Sequence, residues 1–298
     1  YGVTTLPHLR DLSISGPFAV TGVSDTPARK RIFSCRPTAP DEEEPCAEQI
    51  IESIATQAFR RPLEGGEVDE LMFFYREGRE QGGFEIGVRN AIWAILSSPR
   101  FIFRLERTPS RVDPGEVYEL DDIDLASRLS FYLWAAPPDA ELLRVAERGR
   151  LSDEDELVRQ ARRLLADPRA ESLATRFASQ WLRLQDLEKI NPDAQLYPYF
   201  NHQLKTAMDR ETELLFHTIV QEDRSVLELL TADWTFVNEQ LAAHYGIPGV
   251  TGRDFVRVRL EDENRRGLLG HGSILMMTSH GDRTSPVLRG KWVMEVLL

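Results

Sequence analysis

The residues that could do chemistry in this chain are polar groups in apolar company: Arg128, Glu211, His271, His280, Asp282, Arg283 and Arg289. Glu211 is the sharpest case. Over residues 201–222, helical steps of about 100° per residue place Leu204, Ala207, Met208, Leu214, Leu215 and Ile219 on one side, with Glu211 in the middle of that stripe. A carboxylate on a buried face must be paired, hydrogen-bonded or protonated, because bare burial costs several kcal/mol. The expected partner is a guanidinium from Arg128, Arg283 or Arg289. An Arg128–Glu211 structural ion pair stands against a catalytic acid or base role for Glu211. Glu213 and His217, four residues apart, face the other way as an exposed pair.

Downstream, residues 265–292 read RRGLLGHGSILMMTSHGDRTSPVLRGKW. Ser285-Pro286 starts a helix whose first turn is flanked by Arg283 and Arg289, a combination suited to an anion or an internal carboxylate. An anion site of Ser285, Arg283 and Arg289 is therefore expected. These arginines should point inward, with Trp292 and Val287 forming the helix's packing face. His271 and His280 stand among glycines with no regular element to bring them together. A metal would need a further ligand, with Asp282 nearest, so no metal is expected. Met276 and Met277, adjacent in an apolar run, read as core rather than as haem ligands. The catalytic candidates are Glu211, His280, Asp282 and Arg283. The chain lacks G-x-S-x-G, H-E-x-x-H, G-x-x-x-x-G-K-[ST] and a strand-flanked G-x-G-x-x-G, which removes the best support for common hydrolase, metalloprotease and nucleotide readings.

Helices must position these residues. Ile50, Ile51, Ile54, Ala58 and Phe59 recur at helical spacing up to Arg61-Pro62. Further helices are expected at 67–79, 86–98, from Asp121 or Asp122 to Trp134 (stripe Leu125, Leu129, Tyr132, Leu133), 140–147 and 153–165. One continuous helix is expected over 169–184, with Leu173, Phe177, Trp181 and Leu184 on one face. Strands are expected only in the first forty residues (Leu12–Ser15, Phe18–Val20, Arg31–Phe33) and as short pieces near Phe101 and Phe255. The expected class is mainly α: a multi-helix bundle in two lobes with a short β or irregular N-terminal arm. The expected divisions are an extended arm over 1–44, a small helical lobe over 45–110, a main helical domain over 111–250 and a Gly/Arg/His-rich segment over 251–298. Arg107 to Glu119, with Pro109, Pro114 and Gly115, reads as the linker.

At 298 residues, 42% hydrophobic and 28% charged, the chain can bury a sizeable core. A net charge of −12 without any block of basic residues argues against nucleic acid. No apolar run reaches the roughly 18–20 residues of a membrane-spanning helix. The chain opens at Tyr1 and ends at Leu298 within a helical pattern, which leaves room for a leader, an anchor or a further domain, and the last segment is expected to continue. The two cysteines, Cys35 and Cys46, enclose ten residues, a usual disulfide loop and a poor metal or haem spacing. The bridge implies an oxidising compartment, and the alternative is two unpaired buried thiols.

The segment Arg283–Trp292, together with PCAEQIIESIATQAFRRPL, SSPRFIFR, RLSFYLW and RSVLELLTADWTFVNEQLAAHYGIP, resembles a planctomycete-type family of secreted domains of unknown function that occur beside cytochrome c domains. The resemblance covers most of the chain from about Cys46 onward. It implies a periplasmic or extracellular component of a redox or electron-transfer system, with protein partners that include a cytochrome c domain or subunit. This chain has no C-x-x-C-H, so haem c would belong to another part of the protein or to a partner. A non-catalytic binding or scaffold subunit of a secreted or membrane-associated complex is one alternative. A carbohydrate-active hydrolase is another, and it needs two carboxylates about 5–10 Å apart across a cleft.

Overall fold

Residues 12–16, 18, 26–108, 112–113 and 115–298 are described in the structure, a computed structural model. The fold is mainly α, and the described residues contain a single two-stranded sheet. The chain divides into two compact units, Tyr1–Arg104 and Leu105–Leu298.

In the first unit α1 (Pro27–Ile32) precedes α2 (Glu43–Phe59), α3 (Glu67–Gly82), α4 (Phe84–Ser97) and α5 (Pro99–Ile102). Ile50, Ile51, Ala55 and Phe59 of α2 pack with Leu71, Tyr75, Val88 and Ile95 in one buried cluster. α4 can lie close against α3 because a Cβ on Gly87 would stand only 2.6 Å from the Tyr75 ring. α2 stops at Arg60, which turns left-handed (φ 62°) just ahead of Pro62. The buried Arg60 guanidinium then donates to the carbonyls of Ala58, Arg100, Phe101 and Phe103 at 2.7–3.2 Å, which pins the segment after α4.

Two expected strands in this unit are helical instead. Phe101 lies in α5 because Ser98 accepts the Arg100 amide and Pro99 occupies the first turn, a helix start that outweighs the β preference of Phe-Ile-Phe. Arg31 and Ile32 close α1 for the same reason, with Thr26 as cap and Pro27 behind it. Leu12–Ser15 carries no strand, and Ala19 and Val20 lie outside the described residues. Cys35 and Cys46 form a disulfide that ties the segment after α1 to the first turn of α2.

The second unit contains α6 (Asp122–Trp134), α7 (Ala140–Glu147), α8 (Glu154–Ala166), α9 (Ser179–Trp181), α10 (His202–Gln221), α11 (Glu228–Thr231), β1 (Trp234–Val237), α12 (Glu239–Tyr245), β2 (Val256–Arg259), α13 (Gly272–Met277) and α14 (Pro286–Trp292). Asp121, Asp139, Asp153, Asn201, Asn238 and Ser285 each accept the amide three residues on, which explains where the six longer helices begin. Pro109 and Pro114 of the expected linker lie outside the described residues.

The expected continuous helix over 169–184 is broken into a 3₁₀ turn (Pro168–Glu171), a π-helical stretch (Leu173–Ala178), α9 and a second 3₁₀ segment (Leu184–Lys189). Each change of winding shifts the phase of the buried face. Leu173 and Leu184 stay buried, whereas Phe177 and Trp181 turn outward and stack on one another. Tyr132, expected in the α6 stripe, is also exposed and meets the edge of Phe177.

α10 runs through the middle of this unit, packed by β1, α12 and α13. β1 pairs antiparallel with β2 in the register Trp234 to Arg259 and Val237 to Val256, which presents Thr235 to the interior. The loop into α13 approaches α11 so closely that a Cβ on Gly267 (φ 59°) would meet the Leu230 backbone at 2.5 Å. Only glycine fits there.

Candidate functional site

Glu211 is 1% exposed, as the helical stripe required, but its partners are not arginines. Thr235 Oγ1 donates to Oε1 at 2.6 Å, and the Tyr245 hydroxyl donates to Oε2 at 2.6 Å while accepting from the Gly272 N–H at 2.7 Å. The expected Arg128–Glu211 pair does not form, because Arg128 is on the exposed side of α6, where it pairs with Glu106 at 2.5 Å. Two hydroxyls satisfy the carboxylate without bringing a second desolvated charge inside. Gly272 is required here, since a Cβ would come within 2.8 Å of the Tyr245 hydroxyl and 2.9 Å of Met208.

His271 completes the buried network. Its Nδ1 and the Thr212 hydroxyl lie 2.9 Å apart, and that hydroxyl is 2.7 Å from Ser273 Oγ. Its Nε2 is 4.0 Å from Glu211 Oε1, too far for a hydrogen bond, and has no partner. Burial holds the imidazole below its usual pKa, although Glu211 pulls the other way. Burial and the neighbouring Glu211 push the Tyr245 phenol well above its usual range. The set is thus a carboxylate, a protonated phenol and a neutral imidazole with one free nitrogen.

A cavity of about 280 Å³ borders this network. Tyr197, Tyr199, Phe200, Met208 and Met276 supply much of its wall, while His244, Arg265, His280 and Arg283 supply its polar groups. Gly272 belongs to the wall, so the Tyr245 hydroxyl stands directly behind it. The Tyr199, His244 and Tyr245 rings follow one another at centroid separations of 6.0 and 5.5 Å, and the Arg265 guanidinium lies 4.3 Å from the Tyr245 ring centroid. The loop before α10 is held by the Asp193 N–H, which donates to the Gly281 carbonyl at 2.8 Å.

The other expected site residues have separate placements. His280 is exposed, its N–H donates to the Arg283 carbonyl, and the Ser279–Thr284 bridge closes the turn that carries Gly281 and Asp282. Arg283 does not point inward. Its side chain is 69% exposed at the cavity mouth and pairs with Asp282 at 3.1 Å. Arg289 reaches Thr278 Oγ1 at 3.5 Å, and the Ser285 hydroxyl is occupied as the cap of α14. Trp292 packs inward and donates to the Leu182 carbonyl, but Val287 is 80% exposed, because the short α14 buries only its last residue.

A second concavity, about 1070 Å³, runs along α10 and the start of α12, lined by Asp209, Arg210, Glu213, Asn238 and Glu239 among others. Glu213 and His217 are not the expected exposed pair. Both are half-buried, and Glu213 is bound by Arg210 at 2.9 Å. Asp209 was not singled out by the apolar pattern, yet burial, then Glu213 and Glu188, raise its pKa to about 6. Its Oδ1 is buried without a hydrogen-bond partner. The readable signal was the like-charge Asp209–Glu213 spacing of four on one helix face.

Among the described residues no group of three or more His, Cys, Asp or Glu is arranged to hold a metal, and no helix is long and apolar enough to cross a membrane. Three family models match the chain. They are PSD5, a protein of unknown function (DUF1595), over residues 46–106; PSD4, a protein of unknown function (DUF1592), over 120–247; and PSCyt3, a protein of unknown function (DUF1588), over 265–298. No curated protein and no solved structure matches. The α10 network, the glycine-rich segment and the disulfide-tied first unit therefore belong to a chain of the planctomycete-type, cytochrome-c-associated family of domains of unknown function.

Proposed function

We propose that the chain is the substrate-holding component of a periplasmic or extracellular redox system, whose electrons leave through a c-type haem on a protein partner or another domain. The haem half of this reading draws on the family's association with cytochrome c domains. The compartment draws on the disulfide and on the same family. The observation that carries the substrate half is the cavity backed by the Tyr245–Glu211 pair, with 2.6 Å between phenol and carboxylate. Oxidation of an O–H or N–H substrate releases a proton with each electron, and a buried carboxylate reached through one hydroxyl can take it. The Tyr245 hydroxyl stands behind Gly272 and already donates to Glu211, so a proton that crosses that wall to the phenol has the Glu211 carboxyl as its acceptor.

The test is reduction of a ferric c-type cytochrome by saturating catechol, followed by growth of the reduced haem band. Each catechol gives two electrons to two ferric haems and two protons to the protein and solvent, leaving the quinone. The chain should accelerate this over the spontaneous rate, and Tyr245→Phe should remove the acceleration with the fold intact. Equal rates with and without the chain would refute the reading.

The Asp209 cleft favours a second reading, a carbohydrate-active hydrolase, because a carboxyl that stays protonated to about pH 6 in an open groove is suited to general acid work. Turnover of an aryl glycoside that disappears in Asp209→Asn would support it.

A further inference from the structure

We infer that the cavity beside Arg265 binds a small aromatic carboxylate, a single ring carrying one carboxylate group. Charge is the first ground. The chain carries 48 acidic against 36 basic residues. The fifteen residues that line this cavity nevertheless include two arginines, two histidines and no aspartate or glutamate. Asp282 meets Arg283 at the mouth, so that guanidinium is already engaged. Arg265 is not. It is half-buried, one guanidinium nitrogen reaches the Gly270 carbonyl at a long 3.4 Å, and the acid that feels its charge, Asp262, lies outside the cavity lining and makes no ion-pair contact with it among the described residues. Its charge is turned against the Tyr245 ring at 4.3 Å, which leaves the fork of N–H groups to match a carboxylate edge. A half-desolvated guanidinium in an acid-free recess is the arrangement that an incoming anion satisfies.

Shape is the second ground. Tyr197, Tyr199, Phe200 and His244 offer rings, and Met208 and Met276 offer polarizable thioethers, which together suit a flat ring in edge or offset contact. Burial and Arg265 both keep His244 below the usual imidazole pKa, so it stacks as a neutral ring. A volume of about 280 Å³ is just under the range of common ligand sites, roughly 300 to 1,000 Å³. That suits one substituted ring.

This inference rests on the redox reading for the fate of the ligand, whereas binding itself needs no oxidant. The experiment is titration calorimetry of the chain with 4-hydroxybenzoate, 4-hydroxybenzamide and acetate. Saturable binding of 4-hydroxybenzoate is expected, with the neutral amide and the ringless acid each at least tenfold weaker. Arg265→Gln should weaken 4-hydroxybenzoate at least tenfold with dichroism and melting unchanged. If that variant fails to fold, Met276→Trp decides, since it fills the cavity while keeping its charge and should abolish binding. No saturable binding, equal binding of the amide, or unchanged affinity in Met276→Trp overturns the inference. Binding without any acceleration of cytochrome reduction overturns the redox reading alone.

Discussion

Asp209 offers a prediction whose size follows from its surroundings. Its carboxyl titrates at about 6 instead of 3.8, chiefly because burial penalises the charged form. That rise corresponds to about 3 kcal/mol, and partial solvent access reduces this to about 2 kcal/mol. The sign is opposite to that of a salt-bridged aspartate. Between about pH 4 and pH 6 the folded state holds a proton that the unfolded state has released, so stability falls as pH rises through this window. Below it Asp209 costs nothing, and above it the whole penalty applies. Asp209→Asn should therefore match the wild type near pH 4 and exceed it by about 2 kcal/mol at pH 8. Urea unfolding at fixed pH values measures this, with the two units fitted as separate transitions if they separate. A variant less stable than wild type at pH 8, or a difference that does not vary with pH, refutes the reasoning.

The buried network makes two further predictions possible, and the disulfide a third. Glu211→Ala strands the Thr235 and Tyr245 hydroxyls and opens a cavity, so it should cost on the order of 3–5 kcal/mol in urea unfolding, and a loss below about 1 kcal/mol would count against the network. Gly272→Ala drives a methyl into the Tyr245 hydroxyl and Met208, with an expected loss of about 1–3 kcal/mol and, in crystals, a displaced Tyr245 side chain. Reducing the Cys35–Cys46 bridge, or replacing Cys35 by Ser, should lower the first unit's stability by about 2–4 kcal/mol while the second unit's transition stays where it was.

Helix starts were legible in the sequence because each rests on a local device. Asp121, Asp139, Asp153, Asn201 and Ser285 cap the helices that their own side chains announce. The burial of Glu211 was legible for a similar reason, since helical periodicity ties its direction to the leucines beside it. Where capping and β preference competed, as at Ser98-Pro99 before Phe101, the capping signal prevailed over composition.

What the sequence determined by itself was therefore local: the mainly helical class, most helix boundaries, the cysteine pairing and the inward face of α10. Tertiary structure alone decided the partners. Thr235 comes from β1 and Tyr245 from α12, more than twenty residues beyond Glu211, and nothing in their spacing relates them to α10. An acid in an apolar stripe demands hydrogen bonds, but two hydroxyls meet that demand as well as a guanidinium and without a second buried charge. The phase of residues 168–189 was likewise beyond the sequence, because π and 3₁₀ windings there are set by what the neighbouring helices require. The cavity could not be read either. Its rings and cations come from segments as far apart as Pro192 and Thr284, and only the packing of α10, α12 and α13 brings them to one wall.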